Sequence, residues 1–250
     1  MNPDFSNTAI SETKPNTATT PLSRSEDWWT RRHSRILKDI TCRPIDLVFI
    51  GDSITHAFEY DPERNAEDNG QETWNQYYKH RNALDIGFSG DRTQHVLWRI
   101  QNGEIEGLAP KLAVLMIGTN NSNGDDNTSE EIAAGIIAIV EELVKKLPTT
   151  NILVLGIFPR EEKHNPQRAK IEHANSMVSA DIGRRPSQNG GQKITYLDIG
   201  PKFLTSDGTL PKEIMPDFLH PTPLGYKIWA ESMESKIVEL MGEKTEKQKL

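Results

Sequence analysis

Ser53 is the first residue of the sequence whose type and position could support nucleophilic chemistry. It stands in the run Gly-Asp-Ser-Ile-Thr, directly after an apolar segment, where a strand would turn into a helix. At such a turn a serine hydroxyl is exposed, and free backbone N–H groups point toward whatever it attacks. Taken alone the run indicates little, because glycine, aspartate and serine also favour plain turns.

Two later segments, each at the end of an apolar run, carry possible hydrogen-bond donors. Gly90 has no side chain, so its backbone N–H could approach an oxyanion closely, and Asp91 could cap the helix that follows. Asn120 could donate its side-chain amide to developing negative charge. A turn glycine and a turn asparagine are the alternative interpretations of these residues.

Asp217 and His220 form a possible acid and base near the C-terminus. Their spacing of three residues places both side chains on one side of a helical turn, where the carboxylate can orient the imidazole. The alternative is a histidine that merely caps the last helix. Together with Ser53, Gly90 and Asn120, the pair completes the set of groups that nucleophilic acyl transfer requires.

The elements that must position these residues alternate along the chain. Short runs rich in Val, Ile and Leu predict strands buried on both faces of a parallel sheet, at residues 46–50, 83–86, 112–117, 152–157 and 194–199. Helices are predicted at residues 27–38, 93–101, 166–184 and 224–241, and after Thr128, which forms a capping box with Glu131. The predicted fold is α/β, a doubly wound three-layer α/β/α sandwich whose ligands bind beyond the carboxyl ends of the strands.

Bulk properties narrow the possible functions. The length of 250 residues suits one domain, predicted over residues 24–242 between flexible tails at residues 1–23 and 243–250. A net charge of -7 argues against nucleic acid or an anionic membrane as a partner, and no apolar run could span a bilayer stably. The single cysteine, Cys42, excludes an internal disulfide. A cytoplasmic chain is expected, or a secreted or periplasmic one whose signal peptide has been removed.

Four segments resemble conserved blocks of a known family. GDSIT, FSGDRTQHVLWR, GTNN and DFLHP resemble blocks I, II, III and V of the SGNH (GDSL-like) hydrolases. Residues 90–99, 102–104 and 118–121 resemble, more narrowly, the catalytic subunits of intracellular platelet-activating-factor acetylhydrolase and their bacterial relatives. The resemblance implies a flavodoxin-like sandwich around five parallel strands. The site residues that it implies are Ser53 as nucleophile, Asp217 and His220 as acid and base, and Ser53, Gly90 and Asn120 as oxyanion-hole donors.

The same resemblance implies a serine esterase that removes short acyl groups, above all acetyl, from a carbohydrate or a small lipid. No metal or organic cofactor is required, and a homodimer is left open because the family commonly dimerises. One departure concerns Ser89, which stands where close relatives often have glycine and which affects the shape of the pocket. His56 is predicted to line the pocket or to lie at the surface. Two alternatives remain, a lysophospholipase or thioesterase for longer acyl chains and a catalytically silent dimeric binding module.

Overall fold

The computed structural model describes residues 15–58, 69–185 and 191–244. Within them, five parallel strands form one sheet in the order β2-β1-β3-β4-β5. This is the flavodoxin-like order, so the predicted fold class is confirmed. The strands are β1 (Leu47–Gly51), β2 (Ala83–Gly87), β3 (Leu112–Met116), β4 (Asn151–Leu155) and β5 (Ile194–Leu197).

Seven α-helices within the described residues cover the two faces of the sheet. They are α1 (Asp27–Cys42), α2 (Ser53–His56), α3 (Gln71–Tyr77), α4 (Thr93–Gln101), α5 (Ser129–Lys146), α6 (Pro166–Arg184) and α7 (Pro223–Met241). Residues of α1, α4, α5 and α6 pack on one face, and residues of α2, α3 and α7 pack on the other. Successive side chains of β1 alternate between these two cores, with Val48 in the first and Phe49 in the second.

The predicted start of α5 is confirmed in detail. Thr128 precedes the helix, and its hydroxyl accepts the backbone N–H of Glu131, whose carboxylate accepts the N–H of Thr128. The prediction for the last strand is partly wrong, because β5 is only half-buried where full burial on both faces was expected. It lies at the edge of the sheet and has β4 as its single strand neighbour, so less of its surface is covered.

The N-terminal segment departs from the predicted flexible tail over the part that the structure describes. Ala18 is fully buried, and its carbonyl oxygen accepts the hydroxyl of Thr93 in α4 at 2.8 Å. Asn16 donates from its side chain to the carbonyl oxygen of Glu131 in α5. Composition could not reveal these long-range contacts. Residues 1–14, and residues 245–250 of the predicted C-terminal tail, lie outside the described residues.

Among the described helices, none combines the length and the apolar composition needed to cross a membrane.

Candidate active site

The hydroxyl that follows β1 and the imidazole of the loop before α7 meet beyond the carboxyl end of the sheet. Ser53 Oγ lies 2.9 Å from His220 Nε2, although 167 positions separate the two residues in the chain. His220 Nδ1 lies 2.7 Å from Asp217 Oδ2. The carboxylate thus holds one ring nitrogen and leaves the other facing the serine. This arrangement can take the hydroxyl proton and activate the oxygen as a nucleophile.

A tight turn presents Ser53. The side chain of Asp52 accepts the backbone N–H of Ile54 at 3.0 Å, and Ser53 itself is the first residue of α2. Gly51 passes so close to β3 that a Cβ atom there would lie 2.5 Å from the carbonyl oxygen of Met116. Only glycine therefore fits at the end of β1, and the turn that exposes Ser53 depends on it.

Asp217 and His220 lie in an irregular loop, not in the helical turn that their spacing predicts. Phe218, between them, has a φ of 58°, a left-handed conformation that costs free energy in a non-glycine residue. Two hydrogen bonds hold the loop in this shape, because Asp217 Oδ1 accepts the backbone N–H groups of Leu219 at 3.0 Å and of His220 at 2.8 Å. The carbonyl oxygen of Phe218 also accepts the N–H of Glu161, which anchors the loop to the segment after β4.

These hydrogen bonds also set the charge of Asp217. Partial burial by itself raises the pKa of its carboxyl group, but the backbone N–H and the imidazole of His220 lower the pKa by more. The pKa of Asp217 therefore lies below its ordinary value, and the side chain is ionised at neutral pH. An ionised carboxylate can orient the imidazole and stabilise its protonated form.

The predicted oxyanion donors line a single cavity of about 390 Å³ together with His220. The backbone N–H groups of Ser53 and Gly90 have no hydrogen-bond partner among the described residues. Asn120 donates one side-chain N–H to the carbonyl oxygen of Asp91 at 2.8 Å, which fixes the amide while its second N–H stays available to a ligand. Gly90 has a φ of 77°, a conformation that glycine adopts without steric cost. The other lining residues are Ala57, Ser89 and Leu219.

Comparison with known proteins identifies the family of the chain. The GDSL-like Lipase/Acylhydrolase family matches residues 49–228, a stretch that contains Ser53, Gly90, Asn120, Asp217 and His220. The chain belongs to this family. Platelet-activating factor acetylhydrolase IB subunit alpha2 of Rattus norvegicus is 34% identical over 223 residues, which cover 89% of either chain.

Two solved structures share the fold of this hydrolase. A GDSL-like lipase from Bacteroides thetaiotaomicron superposes with a TM-score of 0.65 at 20% identity, over 84% of this chain and 97% of the other. A carbohydrate acetylesterase from Sinorhizobium meliloti superposes with a TM-score of 0.58 at 15% identity, over 78% of this chain and 99% of the other. Membership of the family makes the chain an ester hydrolase.

Behind the cavity, the hydrolase contains a buried network of charged side chains. Arg99 of α4 donates to Asp91 Oδ2 at 2.8 Å and pairs with Glu104, and all three side chains are fully excluded from solvent. Asp91 also accepts the indole N–H of Trp29 at 2.9 Å. The predicted role of Asp91 as a helix cap is therefore wrong. Its carboxylate points into this network, and the side chain of Asn121 accepts the first N–H of α4 instead.

The same guanidinium connects the strand ends that carry the site. Arg99 donates to the carbonyl oxygen of Gly51 at the end of β1, at 3.3 Å, and to that of Ile86 in β2, at 3.1 Å. Ser53 follows the first of these strands and Gly90 follows the second. One buried side chain therefore holds in place the two segments whose N–H groups line the cavity.

Arg24, from the segment before α1, holds the loop that contains Gly90. It donates to the carbonyl oxygen of Ser89 at 2.8 Å and to Asp91 Oδ1 at 3.1 Å. Sequence reasoning missed the role of Arg24, which lies outside every recognised segment, and the role of Arg99. The one available signal for Arg99 was its place at the end of the block II segment. The sequence around Arg24 contains no motif that indicates its role.

Asp52 should make the stability of the hydrolase depend on pH. Its side chain is fully buried, and this burial raises the pKa of the carboxyl group from 3.8 to about 7. The folded chain then holds the proton more tightly than the unfolded chain, so this contribution to stability is complete below about pH 4 and is lost as the pH rises through about 7. Each unit by which the pKa in the folded chain exceeds that in the unfolded chain corresponds to about 1.4 kcal/mol in the free energy of unfolding.

Asp52→Asn should remove this dependence, because an amide keeps an acceptor for Ile54 and does not titrate. The measurement is the free energy of unfolding by urea at about pH 5 and about pH 8 for both proteins. We expect the loss of stability between these two conditions to be smaller in the variant than in the unmodified chain. An equal loss in both would mean that Asp52 ionises normally.

Proposed function

We propose that this hydrolase is a serine esterase that removes short acyl groups, above all acetyl, from a carbohydrate or a small lipid through an acyl-enzyme on Ser53. The observation that carries the proposal is the 2.9 Å separation between Ser53 Oγ and His220 Nε2 at a cavity that Gly90 and Asn120 also line. Acetyl is favoured because the rat relative is named an acetylhydrolase and one structural neighbour is a carbohydrate acetylesterase.

In the proposed mechanism, His220 takes the proton of Ser53 while the serine oxygen attacks the ester carbonyl carbon. The carbonyl oxygen becomes an oxyanion that accepts the backbone N–H groups of Ser53 and Gly90 and the side-chain N–H of Asn120. The carbon–oxygen bond to the alcohol then breaks, and the alcohol leaves with the proton from His220. In the second half, water attacks the acyl-enzyme with His220 again as base and Asp217 stabilising the charge of the imidazole. The bond between the acyl carbon and Ser53 Oγ then breaks, the carboxylic acid leaves, and His220 returns the proton to the serine oxygen.

Asn120→Ala should lower kcat by roughly 10²- to 10³-fold and change KM much less, because its hydrogen bond strengthens only as the oxyanion develops. The measurement is steady-state hydrolysis of para-nitrophenyl acetate. An increase in KM with unchanged kcat would mean that Asn120 binds the ground state equally well, and the assigned role would be wrong. Because Asn120 also bonds to Asp91, unfolding by urea should be compared for the two proteins.

The acyl preference is tested with para-nitrophenyl esters of graded chain length, from acetate through butyrate to octanoate. We expect kcat/KM to be highest for acetate and to fall with every added pair of methylene groups. A higher value for octanoate than for acetate would favour the lysophospholipase or thioesterase alternative. A fluorophosphonate probe followed by peptide mass mapping provides the second test. A chain that leaves Ser53 unlabelled and hydrolyses none of the esters would be a binding module.

A further inference from the structure

The loop after β4 carries a cationic side chain that the mechanism does not use. This side chain belongs to Arg160, which follows β4 and is half-buried. Because β4 is the neighbour of β3 in the sheet, the loop leaves the sheet beside the segment that carries Asn120. Among the described residues, those that line the cavity do not include Arg160. Any effect of Arg160 on the reaction must therefore pass through other residues.

One nitrogen of Arg160 bonds to both ends of the turn that presents Asn120. This turn is a single 3-10 turn, Asn120–Ser122, with Thr119 before it and Asn123 after it. Nη1 of the guanidinium donates to Oδ1 of Asn123 at 2.7 Å and to the carbonyl oxygen of Thr119 at 3.3 Å. A turn of three residues is too short to be stable through its own hydrogen bonds. Its position therefore depends on such contacts with the rest of the chain.

The bonds from Arg160 complement two contacts that hold the turn from the side of α4. The carbonyl oxygen of Asp91 accepts one side-chain N–H of Asn120 at 2.8 Å. The side chain of Asn121 accepts the backbone N–H of Thr93 at 3.0 Å, which ties the turn to the start of α4. Arg160 adds the contact from the side of β4. An oxyanion donor must be held within a fraction of an ångström, and these three contacts together define the direction of the second side-chain N–H of Asn120.

The burial of Arg160 opposes folding. Burial lowers the pKa of its guanidinium below the ordinary value, although the carboxyl groups of Glu161, Asp52 and Asp217 act in the opposite direction. The folded chain therefore favours the charged form less than water does. Nε of the guanidinium is also buried and has no hydrogen-bond partner among the described residues, which adds a further cost. A side chain that destabilises the fold and bonds to the turn of an oxyanion donor fits a functional role better than a stabilising one.

We propose that Arg160 is a positioning residue of the esterase, which fixes the turn after β3 so that the second side-chain N–H of Asn120 points at the oxyanion. This inference rests on the proposed function and adds to it a residue outside the cavity. Loss of Arg160 should slow the chemical step through Asn120 and leave substrate binding nearly unchanged, because the affected hydrogen bond strengthens only as the oxyanion develops.

Arg160→Met keeps much of the side-chain volume and removes both bonds to the turn. We expect kcat for para-nitrophenyl acetate to fall by roughly 10- to 100-fold, and KM to change by less than about two-fold. The side chain of Asn123 keeps Gln167 as a donor at 3.3 Å. The carbonyl oxygen of Thr119 keeps the backbone N–H of Ser122 at 3.2 Å. Because neither acceptor is left without a partner, the urea midpoint should stay the same or rise.

A double-mutant cycle identifies the residue through which Arg160 acts. Arg160→Met is also made in the Asn120→Ala variant, which lacks the side-chain donor. If Arg160 acts through Asn120, its substitution there should lower kcat by less than about three-fold further. Arg185→Met is the matched control, because Arg185 is a half-buried arginine at the far end of α6, where it pairs with Asp181 at 2.6 Å. This variant should leave kcat and KM unchanged.

Several results would contradict a positioning role for Arg160. Equal fold losses of kcat in the two backgrounds would overturn the inference, since Arg160 would then act through another group. An unchanged kcat in Arg160→Met, or a rise in KM alone, would overturn it too. A clear fall in the urea midpoint, or a variant that does not fold, would make Arg160 a structural residue with the same consequence. All of these leave the esterase activity standing. Only an unmodified chain that hydrolyses no ester and takes no fluorophosphonate label on Ser53 would end the proposed function, and this inference with it.

Discussion

Ser53→Ala is expected to lower kcat for para-nitrophenyl acetate by about 10⁴-fold or more. The substitution removes the only atom of the triad that bonds to the acyl group, and the remaining groups can act only through an activated water. Oxyanion donors and substrate binding should survive, so a small residual rate above the uncatalysed reaction is expected. The measurement is single-turnover and steady-state release of para-nitrophenol, together with loss of the fluorophosphonate label.

The structure allows this effect to be separated from misfolding. Ser53 Oγ bonds to His220 Nε2, and the alanine variant should change the free energy of unfolding by less than about 1 kcal/mol, because the nucleophile lies at the open end of the sheet. Ser176→Ala, which deletes a surface hydroxyl, should retain full activity. Full activity in Ser53→Ala itself would end the assignment of Ser53 as nucleophile.

Most of the residues at the site could be predicted because each one follows a strand or stands in a short local motif. The run of apolar residues before Ser53 and the one before Asn120 predicted β1 and β3, and the carboxyl ends of neighbouring parallel strands meet at one edge of the sheet. The distance between Ser53 and His220 could only be inferred by resemblance, since nothing in local spacing reports a contact across 167 positions.

The features that the sequence does not predict depend on contacts between distant residues, or belong to elements too short to show a helical periodicity. The helix α2 has four residues, fewer than a helical pattern needs to be visible in sequence. The local sequence predicts a helix cap at Asp91, whereas the partners of its carboxylate, Trp29 and Arg24, lie far away in the chain. The polar neighbours of Ala18 predict a tail, yet this residue is buried and bonds to a helix 75 positions away.

Arg99→Met is expected to lower the free energy of unfolding by about 3–5 kcal/mol, because it removes the one guanidinium that pairs with both Asp91 and Glu104 in the core. Among the described residues, Asp91 then keeps only Arg24 as a charged partner, and Glu104 keeps only His33. That loss is a large fraction of the roughly 5–15 kcal/mol that stabilises a typical domain. Methionine fills a similar volume, so the loss reports mainly the weaker charge compensation of the two carboxylates. Urea denaturation is the measurement, and the midpoint should fall with little change in slope.

Two further variants locate the origin of this loss. Arg31→Met on the exposed face of α1 removes a guanidinium that is 72% exposed, and it should change stability by less than about 0.5 kcal/mol. Adding Glu104→Gln to Arg99→Met should recover part of the lost stability, since one of the two buried carboxylates that lost the guanidinium is then neutral. If Arg99→Met were as mild as Arg31→Met, the network would contribute little. The positions of Ser53 and Gly90 would then depend on the strands alone, and kcat in the Arg99 variant would stay near that of the unmodified enzyme.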